Sequence, residues 1–241
     1  MSTEVAPLRS FKLRRGRVTP GQRDALDRLW SRYGVGTPGP DVDLDPQSGP
    51  FVAASVFGRT APLVLEIGFG MGEATLAMAG DDPDRDVLAV DVHTPGAGAL
   101  LRGVEERGLA NVRVLLGDAV AVLRDLLGPG SLDEVRVYFP DPWPKVRHHK
   151  RRLVSPAFVD LVAGRLAPGG RLHCATDWEP YAERILQVVD EHPLLTNLHP
   201  GFAPRPTWRP VTRFERQGLA RGHTVRDLLA EVPHSLPHPP S

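Results

Sequence analysis

The stretch "PLVLEIGFGMGEATLAMAG", residues Pro62 to Gly80, changes character twice. It opens as a short, nearly unbroken apolar run, the pattern of a strand covered on both faces. Glycine then takes positions 68, 70 and 72, where a chain can turn sharply and let another group approach its backbone. "EATLAMAG" follows as a helical segment closed by glycine. Strand, glycine turn and helix in that order open a doubly wound α/β fold.

The rhythm continues outward. "DVLAVDV" (86–92), "NVRVLLGD" (111–118), "DEVRVYF" (133–139) and "GGRLHCATD" (169–177) read as further strands, each followed by a plausible helix. Past Asp190 the pattern shifts. "LLTNL" (194–198), "PVTRFERQG" (210–218) and "HTVRDLLAEV" (223–232) read as strands with no helix between them. The expected fold is α/β and Rossmann-like: a doubly wound, mostly parallel, seven-stranded sheet ending in a C-terminal antiparallel hairpin. Residues 1–22 read as a basic arm, Arg23 to Tyr33 as a short helix and Gly34 to Gly58 as a long loop. One domain is expected over 23–231, followed by a proline-rich, disordered tail over 232–241.

The chain of 241 residues carries 29 basic and 29 acidic side chains, so it is not a nonspecific polycation. The basic residues are nevertheless grouped: six between Val5 and Arg23, and five between Lys145 and Arg152. Two such patches suit a specific anionic partner, or else a solvated basic face. No apolar run reaches the roughly 18 residues of a membrane span, and no signal peptide is apparent. Cys174 is the only cysteine, which excludes an internal disulfide or a cysteine zinc site. A cytoplasmic protein without a metal site is expected, with Cys174 as a buried small residue.

Gly68, Gly70 and Gly72 are spaced one residue too tightly for the dinucleotide fingerprint. Glu66 precedes them, and a carboxylate there disfavours a pyrophosphate but favours a ligand with an ammonium group. S-adenosylmethionine fits better than NAD. Asp91 ends the second strand 19 residues after Gly72, placed to accept from both ribose hydroxyls. Asp118 ends the third strand, in reach of an adenine edge, although it also reads as the N-cap of the next helix. Asp91 offers no comparable structural reading.

The loop after the fourth strand is "FPDPWPKVRHHKRRLV", Phe139 to Val154. Prolines at 140, 142 and 144 fix φ and remove donors, which stiffens the loop around Asp141. Trp143 can pack beneath that acid or stack on a base, and a plain structural proline turn is the alternative. His93 reads as ordering its turn and His223 as capping or packing the hairpin, while His148 and His149 read as phosphate ligands or bystanders.

This loop resembles the signature of the bacterial tRNA (guanine-N7-)-methyltransferases. The resemblance extends through "RSFKLRRGRVTPGQ", "VLEIGFGMGEATLAMA", "AVDVHTPGAGALL", "CATDWEPYAERIL" and "RPVTRFERQGLARGHTVRDL", from Arg9 to Leu229. It implies methyl transfer from S-adenosylmethionine to N7 of a guanine in the tRNA variable loop, guanosine 46. Cofactor contacts would fall on Glu66, Asp91, Asp118 and Asp141, and Asp141 would be the active-site acid. Substrate contacts would fall on Lys145, Asp177, Thr212, Arg213, Phe214 and Glu215. Arg147, Lys150, Arg151 and Arg152 would join Lys145 on the phosphates, fixing register without reading sequence. Asp91, Arg213 and Val146 depart from the residues usual in the family. The expected partner is tRNA, with no membrane, no obligatory protein partner, and a monomer or homodimer. A methyltransferase for another RNA base, and a noncatalytic RNA-binding module with this fold, are the competing readings.

Overall fold

A computed structural model describes residues 16–37 and 51–234. The first fifteen residues of the expected arm, the middle of the expected 34–58 loop and the tail from 235 lie outside the described residues.

Helix α1 runs Pro20–Tyr33, three residues longer at its start than its apolar pattern suggested. A capping box explains the difference. The Thr19 hydroxyl accepts from the Gln22 N–H, and the Gln22 side chain accepts from the Thr19 N–H. The end of the expected loop forms a short helix, α2 at Ala53–Phe57, terminated by Gly58 at φ 73°.

The strand–helix rhythm then appears as β1 (Leu63–Ile67), α3 (Glu73–Asp81), β2 (Asp86–Asp91), α4 (Thr94–Arg107) and β3 (Val112–Leu116). It continues with α5 (Ala119–Ala121), which passes into a π-helical turn, then β4 (Leu132–Tyr138) and a 3-10 helix at Val146–Arg151. After these come α6 (Pro156–Arg165), β5 (Leu166–Thr176), α7 (Glu179–Asp190) and β6 (Thr196–Asn197). The last elements are α8 (Arg213–Ala220) and β7 (Arg226–Glu231). The seven strands lie in the order β3-β2-β1-β4-β5-β7-β6. The first five are parallel, while β7 runs antiparallel to both β5 and β6. The expected sheet and its antiparallel end are both present.

Successive residues of a strand face opposite sides, so each strand feeds two core layers. Val64 and Val114 pack with Leu29 of α1 and Leu101 of α4 on one face. Leu65 and Leu115 pack with Leu123, Phe158 and Ile185 on the other. Strand order reverses between β1 and β4, and such a switch point opens a crevice at the carboxyl ends of the strands.

Two expectations need correction. Residues 210–218, read as a strand, contain the start of α8, because Thr212 caps that helix and its hydroxyl accepts from the Glu215 N–H at 3.1 Å. The connection from β6 to β7 therefore carries a helix. Val232, assigned to a disordered tail, is buried and exchanges backbone hydrogen bonds with Gly169 and Gly170. Among the described residues no helix is long and apolar enough to cross a membrane.

Candidate active site

Gly68, Gly70 and Gly72 all have positive φ, at 81°, 58° and 82°, so the turn after β1 uses a conformation that side-chain-bearing residues rarely adopt. The turn is also crowded from α4. A Cβ on Gly96 would meet the Gly70 carbonyl oxygen at 1.8 Å, so the two backbones touch. A Cβ on Gly72 would meet Leu100 at 2.8 Å, which makes this glycine a packing residue. The other two line a cavity of about 510 Å³ at the switch point, within the size range of small-ligand sites.

Glu66, Asp91 and Asp118 reach that cavity from the ends of three neighbouring strands, and Asp141, Thr212, Arg213 and Phe214 close its other side. Sequence reasoning thus placed seven acidic and substrate-side residues, besides the two glycines, around one void. It missed Tyr138, Phe139, His93, Met71 and Gln217, which also line it. The two aromatics directly precede the proline loop, and their position was the available signal. Gln217 lies one helical turn after Arg213, a relation hidden while that segment was read as a strand.

Glu66 is buried, and its Oε2 accepts no hydrogen bond from the described residues. Burial pushes its carboxyl up to about 7, while the Arg136 guanidinium in the next strand pulls the other way. A buried carboxylate oxygen without a donor, on a cavity wall, suits a cationic ligand group. Asp91 has structural work that its sequence did not reveal. One oxygen accepts from the Val92 and His93 N–H groups at 2.7 and 3.0 Å, and the other from the Gly70 N–H at 2.9 Å. Burial raises its affinity for a proton, and those three donors oppose the rise. Its carboxylate fixes the glycine turn and retains a lone pair for a further donor. Asp118 caps α5, accepting from the Val120 N–H at 2.9 Å. These acceptors, a buried acid with one oxygen lacking a hydrogen bond and two further acids beside a glycine turn, fit S-adenosylmethionine with its ammonium, ribose and adenine groups.

The proline loop is held as tightly as its composition suggested, by additional means. Phe139 and Trp143 both adopt left-handed backbone, at φ 51° and 43°, and bracket Asp141. Trp143 is clamped from outside, with the His148 ring edge-on at 5.8 Å and the Arg151 guanidinium 5.1 Å from its ring centre. Arg152, expected on a phosphate, is instead buried. Its Nε donates to the Pro142 carbonyl at 2.9 Å, and its guanidinium lies 4.8 Å from the Tyr181 ring centre. Charge counting cannot tell an inward arginine from its outward neighbours. Lys145, Arg147, Lys150 and Arg151 are exposed on the 3-10 helix and its cap.

Glu215 also differs from expectation. It is buried and paired with Arg209, which makes it part of the wall's support. Asp177, half-buried at the end of β5, lies 3.1 Å from His223 Nδ1, with Gly218 packed so closely that a Cβ there would meet its Oδ2 at 2.5 Å. Neither Asp177 nor Lys145 lines the cavity itself. Cys174 is buried, and its thiol is pushed up to about 12.

The family model described as "Putative methyltransferase" matches residues 60–228. A tRNA (guanine-N(7)-)-methyltransferase of Streptomyces avermitilis is 58% identical over 92% of this chain and 74% of its own length. The protein of that name from Nitrosospira multiformis is 52% identical over 92% of this chain and 93% of its own. Among solved structures, the 16S rRNA methyltransferase KamB superposes with a TM-score of 0.52 at 17% identity, over 77% of this chain and 95% of its own, a likeness of fold. With the glycine turn, the strand-end acids and the proline loop gathered on one cavity, and with more than half of the residues shared with the first of these relatives, this chain belongs to the family of tRNA (guanine-N7-)-methyltransferases.

Proposed function

We propose that this protein transfers a methyl group from S-adenosylmethionine to N7 of a guanine in tRNA, at guanosine 46 of the variable loop. The observation that carries the reading is the shared cavity: the strand-end acids and Asp141 line it together, and four exposed cations begin four residues beyond Asp141. S-adenosylmethionine, when bound, supplies an electrophilic methyl group.

Guanine N7 carries a lone pair and no proton, so no residue here needs to act as a base. The residues must align the base with the methyl group, and alignment alone can supply much of a rate enhancement. Glu66, Asp91 and Asp118 hold the cofactor from the β1–β3 side. Asp141 and the segment Thr212, Arg213 and Phe214, which close the opposite wall, hold the guanine from the other. A methylated guanine carries positive charge on its imidazole ring, and a fixed carboxylate nearby favours that charge as it develops. The stiff loop gives Asp141 this role.

Lys145, Arg147, Lys150 and Arg151 hold phosphates beside the target nucleotide. Gly16, at the start of the described residues, lies at the same rim: a Cβ on it would meet the cavity-lining His93 at 3.1 Å. A tRNA substrate makes the cytoplasm the site of action.

The test is incubation of unmodified tRNA with labelled S-adenosylmethionine, followed by nucleoside mass spectrometry and mapping of the modified position. N7-methylguanosine in the variable loop is expected. A different methylated base would overturn the substrate assignment, and cofactor binding without transfer would favour a binding-only protein.

A further inference from the structure

We propose that Arg209 is a positioning residue for the methyl transfer. From inside the core it ties the first turn of α8, which brings Thr212, Arg213 and Phe214 to the cavity, to the end of β4, where the Asp141 loop begins. The inference rests on the reading that these two segments hold the guanine.

Arg209 is fully buried, three residues before the α8 cap. Its Nε and Nη2 donate to the two oxygens of Asp227 on β7, at 2.7 and 2.8 Å. Its Nη1 and Nη2 also donate to Glu215, at 2.5 and 3.3 Å. Glu215 sits in the first turn of α8, and its backbone N–H is the donor held by the Thr212 hydroxyl. On the other side the guanidinium carbon lies 5.9 and 5.8 Å from the ring centres of Tyr138 and Phe139. The Tyr138 hydroxyl is 2.9 Å from His173 Nδ1, and His173 Nε2 is 2.8 Å from Asp227. A closed circuit of contacts therefore joins the two cavity walls, and Arg209 is its centre.

A stability role alone is a poor account of this cluster. Desolvating a guanidinium and two carboxylates is expensive, and apolar packing of the same volume usually stabilises as well or better. What an ion cluster adds is geometry. The guanidinium is a rigid planar fork that can hold two carboxylates and lie against two rings at fixed angles, and an ammonium cannot reproduce that arrangement. Near-attack alignment is sensitive to displacements of about 1 Å, so loosening either wall should reach the chemistry.

Arg209→Lys keeps the charge and removes the fork. Its expected signature is an S-adenosylmethionine Kd within about twofold of wild type, because the strand-end acids are untouched. The kcat at saturating tRNA, counted per cofactor-binding molecule, should fall about 30-fold or more, with a smaller change in KM. Asp227→Asn, which leaves the Glu215 contacts in place, should show the same pattern more weakly. A kcat within twofold of wild type for Arg209→Lys would leave Arg209 a structural residue and overturn the proposal. Failure of both variants to bind the cofactor would do so too, by making Arg209 a determinant of folding. Arg213→Ala and Phe214→Ala separate the premise from the inference. Wild-type turnover in both would sink the substrate-side reading itself, whereas impaired turnover in them beside a normal Arg209→Lys would sink only the role of Arg209.

Discussion

In the proposed function Glu66 serves cofactor binding at the expense of the ligand-free fold. Its carboxyl has an ordinary value of 4.5 and sits near 7 in the folded protein. The folded state therefore holds a proton there that the unfolded chain has released, and stability declines as pH rises from about 4.5 through 7. At pH 8 the desolvated carboxylate costs at most about 3 kcal/mol, by the usual conversion of such a shift. Glu66→Gln should raise the thermal midpoint at pH 8, leave it nearly unchanged at pH 5, and weaken S-adenosylmethionine binding. Wild-type affinity should itself fall as pH drops below about 7, and calorimetric titration across pH 6–8 measures both effects. Asp141→Asn should weaken cofactor binding only modestly and lose at least about 100-fold in turnover, as removal of one fixed electrostatic partner typically does. Glu66 and Asp118 were legible because the residues flanking a strand's carboxyl end have a known address in this fold. Arg209 was not, since nothing in "TWRPV" shows that its guanidinium turns inward to meet Asp227, which is close only after folding.

At the scale of elements, the proline loop and its 3-10 helix act as one piece, pinned by inward Arg152 and presenting outward cations. These two kinds of arginine should separate experimentally. Arg152→Ala frees the Pro142 carbonyl and should lower kcat about tenfold while leaving the salt dependence of tRNA binding unchanged. Lys150→Ala should weaken binding with little effect on kcat, and should reduce the slope of log affinity against log salt by about one. Single-turnover kinetics and filter binding distinguish the two. Helix α8 shows why one element went unread. Its first turn carries Thr212 and Glu215 in the spacing of a capping box, but flanking β-branched and aromatic residues give 210–218 the composition of a strand. The cap decided the structure. Its Thr212 hydroxyl accepts a backbone hydrogen bond, and Arg209 fastens Glu215 from below.

Over the whole molecule, zero net charge and the proposed RNA binding are compatible because the charges are segregated. Affinity for tRNA should fall steeply between 50 and 300 mM salt (order of magnitude only), as counterion release requires, and a flat response would contradict a phosphate-held complex. The parallel half of the sheet was readable from local apolar runs, each strand followed by its helix. In the antiparallel half the strands and their direction were readable too, and only the helix between β6 and β7 was not. Strand order also has a consequence for how the protein is made. β7 slots between β5 and β6, yet it leaves the ribosome after both of them. The cofactor half can thus be assembled while synthesis continues. The substrate half must wait for Asp227, the anchor of Arg209. A nascent chain stalled before residue 226 would carry the residues that grip the methyl donor and lack the strand that aligns the acceptor wall, so competence to bind should precede competence to react during biosynthesis.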